Sequence, residues 1–312
     1  MKHRSLVYLS LSLITVIWGA SFGINRMATQ VLHPLIFIFL RFGLAVPLLF
    51  IILWTKEGSI LIAKRDLITL ALIGFFGVTI MENAVIYSIQ YTSLANASLL
   101  NTAPWPIFTA LFAPFFTNER VTRRLLIGGA LAMLGVCLII VGGGQMGNLP
   151  PHHLIGDLLA LLVSLIGALY NLACMPLMRR YSPIRVTTWF IFFGVLFMFP
   201  ATLGLWGQVP WAALGGKVWF SVGYNTLLCT VAAFIAWNWG MTLIGAARAN
   251  FLRYLMPAAA VIAGFLMYGE KIVIWQVGGG LIMALGLAWI STEKKATVEV
   301  ALESTAGPMD LG

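Results

Sequence analysis

Charged side chains are scarce in this sequence. Asp, Glu, Lys and Arg make up only 9% of the 312 residues, whereas 60% are hydrophobic and the mean hydropathy is +0.95. The core of a soluble domain could not hide that much apolar surface. The composition therefore excludes an ordinary soluble protein and predicts a polytopic membrane protein surrounded by lipid.

Residues that commonly carry enzyme chemistry are also few. The four histidines lie at the ends of apolar runs or between them: His3, His33, His152 and His153. The three cysteines stand alone within apolar runs, without a CxxC or metal-ligand spacing: Cys137, Cys174 and Cys229. The sequence contains no HExxH, GxSxG or complete phosphate loop. We therefore expect no enzyme activity, no cofactor, no metal and no ATP hydrolysis by this chain.

Ten apolar runs are long enough to cross a bilayer core, which is about 30 Å thick and needs about 20 helical residues. They cover residues 6–24, 34–54, 67–88, 94–116, 124–142, 155–176, 184–205, 217–239, 249–268 and 272–291. The first run could instead be a cleaved signal peptide. Cleavage would leave nine spans and remove one partner of the duplication described below, so we predict a retained helix and ten spans.

Basic residues cluster on one side of the predicted membrane. If the N-terminus is cytoplasmic, the connectors on that side hold fourteen basic residues, whereas the opposite side holds Arg26, Lys217 and Lys271. This asymmetry predicts that both termini are cytoplasmic. The net charge of +9 forms no basic stripe or tail, so we expect no nucleic-acid partner.

One stretch of the chain occurs twice. Glu119 follows Pro106 by thirteen positions, and Glu270 follows Pro257 by the same interval. Three glycines come after each stretch: Gly128, Gly129 and Gly135 in the first copy, and Gly279, Gly280 and Gly286 in the second. The members of each pair are 151 residues apart, so we interpret the chain as one unit used twice.

The duplication divides the chain into four parts. Residues 1–142 and 154–291 form two five-helix repeats, 143–153 form a linker, and 292–312 form a disordered cytoplasmic tail. Because five is odd, the second repeat must be inserted upside down relative to the first. Inverted repeats let many secondary transporters build two access states around one site near the midplane. The alternative is a duplication that only stabilises a helical bundle, for example a channel.

Further motifs accompany the repeat. Trp18-Gly19-Ala20 lies in the first span, Leu40-Arg41-Phe42 lies in the second, and the fifth and tenth spans are rich in glycine. In these features the sequence resembles the ten-helix, EamA-type exporters of the drug/metabolite transporter superfamily, over about residues 5–291. The resemblance implies a basket of helices around a central cavity in a bacterial inner membrane.

The resemblance also implies a function. The group includes exporters of threonine, homoserine and aromatic amino acids, so it implies alternating-access export of amino acids or similar small metabolites. The aromatic branch has a Trp-Pro pair in its fourth helix, which Trp105-Pro106 matches, although Pro104 precedes the pair here. Efflux of drugs or hydrophobic metabolites is the alternative function, and a channel is a further alternative.

Glu82 is the only carboxylate well inside a predicted span, and Arg41 lies at matching depth in the second span. A charge in hydrocarbon costs at least about 2.5 kcal/mol, so such a residue is paired, faces water or is protonated. The two residues could line an outer gate, or Glu82 could bind a proton or a substrate ammonium. Alternatively, they form a static ion pair between helices two and three.

Arg253 lies about four residues into the ninth span from its cytoplasmic side. This depth favours snorkelling of the side chain toward the lipid headgroups. If Arg253 faces the cavity instead, its planar guanidinium could hold a substrate carboxylate.

Pro106 and Pro257 fall in the middle of the fourth and ninth predicted spans. Proline removes a backbone donor, so we predict hinges whose freed carbonyls find a partner or face a water-lined cavity. Broken helices at matching positions of two repeats indicate a transporter site, and a simple packing kink is the alternative. Asn101, Trp105 and Tyr254 surround these prolines.

The sixth and eighth spans supply the remaining candidates. Amides in lipid are costly unless bonded, so we expect the asparagines to face substrate or a neighbouring helix. Aromatic faces could pack an apolar side chain or receive an ammonium. The predicted substrate site comprises Glu82, Arg41, Asn101, Trp105, Tyr170, Asn171, Trp237, Asn238, Arg253 and Tyr254, with Pro106 and Pro257 as hinges.

Small residues recur at four-residue spacing from Gly128 in the fifth span and from Gly280 in the tenth. Such faces let helices approach closely, so we expect helix packing or a homodimer contact there. Glu119 and Glu270 close the fourth and ninth spans, as boundary charges or as latches of a gate.

Overall fold

The structure is a computed structural model that describes residues 2–91, 100–117, 122–143, 153–269 and 272–291, and every regular element within these ranges is helical. The α-helices whose ends lie there are α1 Lys2–Thr29, α2 Pro34–Glu57, α3 Lys64–Gly74, α4 Met81–Tyr91, α5 Pro104–Phe116, α6 Arg123–Gly143, α7 His153–Leu177, α8 Pro183–Thr202, α9 Gly216–Tyr224, α10 Ala233–Ile244, α11 Ala246–Phe251, α12 Leu255–Tyr268 and α13 Ile274–Ser291.

Short segments of other helical types connect several of these helices. The π-helical segment Phe75–Ile80 joins α3 to α4, and a second one, Asn225–Ala232, joins α9 to α10. The 3-10 turn Leu252–Tyr254 joins α11 to α12. Because π turns carry one extra residue and are frequent at functional sites, their position within two spans directs attention to the middle of the bundle.

Within the described residues, seven continuous helical stretches are long and apolar enough to cross a membrane. They are Ser5–Thr29, Pro34–Glu57, Lys64–Val85, His153–Leu177, Pro183–Gln208, Gly216–Ile244 and Ala246–Tyr268. The prediction of an all-helical, multi-pass membrane protein is thereby confirmed. The start of the fourth predicted span, most of the linker, the tail after residue 291, Glu119 and Glu270 lie outside the described residues. The count of ten spans therefore stays a prediction.

Local sequence explains where the helices meet the connectors. Pro34 and Pro183 are the first residues of α2 and α8, where proline costs no backbone hydrogen bond. The Ser182 hydroxyl caps α8 by accepting from a backbone N–H of the first turn. Helix α2 ends at Gly58, whose φ of 65° is the left-handed conformation that glycine adopts at little cost.

Helices α6 and α13 approach closely through glycine. A Cβ atom on Gly128 would lie 2.9 Å from the Gly286 carbonyl oxygen, and one on Gly279 would lie 2.6 Å from the Gly135 carbonyl oxygen. Since residue numbers rise along α6 as they fall along α13, the two helices are antiparallel. The predicted close packing therefore occurs within the chain, but through Gly279 rather than Gly280, which has no heavy atom within 4 Å of a Cβ position.

Gly279→Val is expected to destabilise the protein, whereas Gly280→Val should leave it unchanged. The valine side chain at residue 279 would overlap the α6 backbone, and overpacking of this kind costs about 1–3 kcal/mol. Both substitutions replace glycine by valine in α13, so they share the same change in helix propensity. Thermal unfolding of the detergent-purified variants measures the difference. Equal melting temperatures would contradict the close approach of α6 and α13.

The bundle has two ends, which we name by residues in their connectors. The Leu32 end holds residues 30–33 and 203–215, and there Leu32 packs with Ala28, Val209 and Val218 in a buried cluster. The Glu57 end holds residues 58–63 and 178–182. The candidate site lies between these ends, where α1 packs against α12 and α5 packs against α7.

Candidate substrate cavity

A cavity of about 160 Å³ lies inside the bundle. Its lining comes from both halves of the chain: Trp18, Ser21, Asn25, Arg41, Met81, Glu82, Val85, Asn101, Thr102, Trp105, Val163, Tyr170, Phe234, Arg253 and Met256. Asn25 is near the last turn of α1, and Val85 is in the second half of α3–α4. The cavity therefore extends from the middle of the bundle toward the Leu32 end.

Arg253 forms the floor of the cavity. The central carbon of its guanidinium lies 3.7 Å from the centroid of the Trp105 ring, 5.2 Å from Trp18 and 5.7 Å from Trp237. Aromatic faces attract a cation, so the three rings hold the guanidinium in place. The side chain points into the protein, so the prediction that it snorkels to the headgroups was wrong.

The N–H groups of the Arg253 guanidinium are available to a ligand. Within the described ranges the group forms no ion pair and no hydrogen bond, and its partners are the three tryptophan rings. Since the rings offer no hydrogen-bond acceptor, the N–H groups of the guanidinium can donate two parallel hydrogen bonds to a carboxylate bound in the cavity. This arrangement matches the alternative interpretation of the sequence, in which Arg253 faces the cavity and holds a substrate carboxylate.

Glu82 and Arg41 lie higher in the same cavity, toward the Leu32 end. Glu82 interacts electrostatically with both Arg41 and Arg253. In the part of the chain that the structure describes, however, neither guanidinium comes within 4 Å of its carboxylate. The predicted static Glu82–Arg41 ion pair is therefore not formed, and the space between the three charges is open to water or a ligand.

The second π-helical segment orients Arg41. The Arg41 Nε atom donates to the Thr230 hydroxyl at 2.9 Å, and the Thr226 hydroxyl donates to the Arg41 carbonyl at 3.2 Å. The guanidinium also lies 4.6 Å from the centroid of the Phe42 ring. Among the described residues, these contacts use one N–H of the guanidinium, and its terminal NH₂ groups have no hydrogen-bond acceptor.

The same π segment also holds Trp18. A π turn displaces backbone carbonyls from their usual helical partners. The Cys229 carbonyl accepts a hydrogen bond of 2.9 Å from Trp18 Nε1. The Trp18 ring packs against Trp237 at a centroid distance of 5.0 Å, which completes the aromatic support below Arg253.

The two predicted hinge prolines lie at the starts of helices rather than in their middles. Pro106 is the third residue of α5, and Pro257 is the third residue of α12. A helix needs no N–H partner in its first turn, so proline fits there without a lost bond. The helical segment before α5 ends at Ala103, and the one before α12 ends in the 3-10 turn Leu252–Tyr254. The predicted breaks are present at matching positions, but each break precedes its proline.

Carbonyls at the break before α5 receive side-chain donors. Pro104 cannot bond the Leu100 carbonyl, which instead accepts from the Ser164 hydroxyl at 2.8 Å. The Tyr254 hydroxyl donates to the Ala103 carbonyl at 2.7 Å. The break is thus stabilised by contacts from the second half of the chain.

Six of the ten predicted site residues lie at the cavity surface. They are Arg41, Glu82, Asn101, Trp105, Tyr170 and Arg253. The Tyr170 ring rests on Gly77 of the first π segment, because a Cβ there would come within 2.8 Å of the ring. It also meets Trp105 edge to face at 6.2 Å.

The other four predicted residues are placed behind the lining. Asn171 Nδ2 donates to Asn250 Oδ1 at 2.9 Å, and Asn238 Nδ2 donates to the Thr187 hydroxyl at 2.7 Å, so both amides join helices toward the Glu57 end. The Tyr254 hydroxyl is used by the α5 break. Trp237 supports Arg253 from below. The NH₂ groups of both amides thus find partners on neighbouring helices rather than in the cavity, whereas Asn171 Oδ1 is buried without a partner among the described residues.

Several lining residues escaped sequence reasoning, although signals for them exist. Trp18, Ser21 and Asn25 follow one another at helical spacing, so they share one face of α1. Thr102 occupies the position equivalent to Arg253 in the other repeat, and Met256 the position equivalent to Trp105, because each pair is 151 residues apart. Shifting the candidates by the repeat interval would have found both.

An ion-pair network closes the Glu57 end. Arg185 pairs with Glu57 at 2.6 Å, Arg180 pairs with Asp66 at 2.9 Å, and the Tyr181 hydroxyl donates to Asp66 at 2.7 Å. Glu57 and Asp66 belong to the first half of the chain and the other three residues to the second. This Glu57–Asp66 network therefore joins the halves at the end opposite the one toward which the cavity extends.

The comparisons with known proteins agree with this architecture. The model of the EamA-like transporter family matches the chain twice, over residues 5–141 and 154–292. The chain belongs to the EamA-like transporter family. Membership identifies this EamA protein as a membrane transporter of the drug/metabolite transporter superfamily and not an enzyme.

Individual relatives of this EamA protein are distant but cover most of its length. The uncharacterized transporter YetK of Bacillus subtilis (strain 168) is 27% identical over 271 residues, which are 86% of this chain and 82% of YetK. A protein of Streptantibioticus cattleyicolor named "Probable terminal-alkyne amino-acid exporter" is 27% identical over 237 residues, 75% of each chain. A solved structure described only as "Crystal structure of protein" matches with a TM-score of 0.78 at 17% identity, over 93% of this chain and 96% of that one, which shows the shared fold.

Proposed function

We propose that this EamA protein is a secondary transporter that exports amino acids or similar small metabolites by alternating access. The observation that carries the proposal is Arg253, whose guanidinium lies against tryptophan rings and which lines the same cavity as Glu82. A carboxylate at Arg253 and an ammonium near Glu82 would satisfy both groups. The likeness to a relative named as an amino-acid exporter is consistent with this substrate class.

The size of the cavity favours small substrates over drugs. A cavity of about 150 Å³ accommodates benzene, whereas pockets for drug-sized molecules measure about 300–1,000 Å³. The present volume of about 160 Å³ suits an amino acid. Drug efflux would require a considerably larger cavity.

Alternating access is supported by signs of an inverted repeat. The π segment Phe75–Ile80, moved by 151 positions, falls inside the segment Asn225–Ala232. The contact of Gly128 with Gly286 becomes that of Gly279 with Gly135 when the halves are exchanged. A two-fold axis produces reciprocal contacts of this kind, and the antiparallel course of α6 and α13 is what an inverted pair requires.

The two ends of the bundle suggest which access state this is. The cavity extends toward the Leu32 end, and the Glu57–Asp66 network joins the halves at the other end. With the basic connectors in the cytoplasm, the Glu57 end is cytoplasmic, both termini are cytoplasmic and this conformation faces outward. We assign the protein to the bacterial inner membrane on the same basis.

The proposal also covers coupling to a proton gradient and assembly into a homodimer. Glu82 is the residue through which a proton gradient could act, and a uniporter draining a cytoplasmic excess would need no such carrier. The face at Gly128 is occupied within the chain, so a homodimer would have to use another surface. The repeat boundaries at residues 142 and 154 also stand as proposed.

An efflux screen tests the proposed function. The purified protein is placed in liposomes preloaded with a mixture of amino acids and two cationic drugs, and release is followed by mass spectrometry with and without a pH gradient. We expect saturable release of a subset of the amino acids, faster than from protein-free liposomes. Release of the drugs alone would move the protein to multidrug efflux, and release of no amino acid would overturn the proposal.

A further inference from the structure

The cavity carries an uneven set of charges. Among the described residues that line it, the charged ones are Arg41, Glu82 and Arg253, two cations and one anion. A net positive charge inside a membrane protein is costly unless a counter-charge neutralises it. A neutral zwitterion would leave this excess in place, whereas a substrate of net charge −1 would cancel it.

Both guanidiniums have donors free for an acidic group. Among the described residues, the Arg253 guanidinium has no hydrogen-bond acceptor and the Arg41 guanidinium has one, the Thr230 hydroxyl, while both residues line the cavity. Each can donate to a separate carboxylate. Because Glu82 interacts electrostatically with both cations without an ion pair to either, its carboxylate can accept from an ammonium placed between them.

We infer that the cavity selects amino acids with an acidic side chain, binding one carboxylate at Arg253, the second at Arg41 and the ammonium at Glu82. This inference rests on the proposed function, since it names the substrate class of the same cavity. It makes Arg41 the residue that determines the charge of the substrate. Amino acids such as aspartate and glutamate carry the three required groups within a small volume.

Pairs of amino acids that differ only in charge test the inference. Liposomes containing the wild-type protein are loaded with equal amounts of aspartate and asparagine, or of glutamate and glutamine, and the release of both members is followed at neutral pH. We expect the acidic member to leave at least about tenfold faster. Equal or faster release of the amide would overturn the inference but leave amino-acid export standing. If no amino acid were released in the efflux screen, the proposed function itself would be overturned.

Arg41→Gln then tests the assigned residue. We expect the ratio of aspartate to asparagine release to fall at least about tenfold, whereas Arg41→Lys, which keeps the charge, should retain the acidic preference. Size-exclusion profiles establish that each variant is folded, and if Arg41→Gln is not, the wild-type ratio decides. A folded Arg41→Gln protein with an unchanged ratio would overturn the assignment of Arg41.

Discussion

Arg253→Lys is expected to raise the substrate concentration for half-maximal transport by about 10- to 100-fold, because a hydrogen bond to a charged group contributes about 1.5–3 kcal/mol. Lysine keeps the positive charge but loses the planar fork that can donate twice to one carboxylate. The rings of Trp105 and Trp18 that orient the guanidinium would also hold a compact ammonium less firmly. Initial rates of efflux as a function of internal substrate concentration measure the change.

Arg179→Lys is the matched control for this substitution. Arg179 is exposed in the turn after α7, outside the cavity lining. The same chemical change there should leave the half-saturating concentration as in the wild type. If Arg253→Lys behaved like this control, the carboxylate site would not be at Arg253.

Glu82→Gln should lower the transport of amino acids by about 10- to 100-fold if its carboxylate binds the ammonium, again on the scale of one charged hydrogen bond. Glutamine is nearly the same size, so packing around residue 82 is preserved while the charge is lost. Transport should also lose any pH dependence that arises from a proton on this group, with expression unchanged. Efflux rates over a range of pH measure both effects.

The specificity of the Glu82 effect can be tested with the substrate. A dicarboxylic acid that lacks the amine gains nothing from Glu82, so its transport should not fall in the Glu82→Gln protein. Glu82→Asp keeps the charge and should retain part of the amino-acid transport. Unchanged amino-acid transport in Glu82→Gln would remove the residue from the mechanism.

Sequence reasoning found the three charged residues of the candidate cavity because few residue types are tolerated in a membrane. A charged residue inside a span needs a partner or water, which drew attention to Glu82, Arg41 and Arg253. The 151-residue repeat located the helix breaks. The sequence could not supply the rotation of each helix about its own axis. A buried amide is satisfied equally well by substrate or by another helix, so Asn171 could not be assigned from sequence.

The Glu57–Asp66 network escaped prediction for a related reason. Glu57 and Asp66 lie at the ends of spans, where charges are common and usually meet only water. Their partners Arg180 and Arg185 are more than 100 residues away in the chain, so only the tertiary fold brings the four together. The candidate latches at Glu119 and Glu270 lie outside the described residues and stay predictions.

The two halves of an alternating-access cycle can be followed with two cysteines. Cys174 is fully buried one turn after Tyr170 on α7, toward the Glu57 end. Ser21 lines the cavity and can be replaced by Ser21→Cys. Each cysteine serves alone: Cys137 and Cys229 are changed to serine in both proteins, and Cys174 is also changed to serine in the Ser21→Cys protein. Weakening the network with Glu57→Gln and Asp66→Asn should favour the conformation open at the Glu57 end.

The most direct measurement is the rate at which a membrane-impermeant maleimide labels each cysteine from its own side of the membrane, with and without these two network substitutions. We expect labelling of Cys174 to accelerate about tenfold and labelling of Ser21→Cys to slow in parallel, because one cavity cannot be open at both ends. Acceleration at both positions would indicate general loosening. That result, or unchanged labelling of Cys174, would contradict alternating access around Arg253.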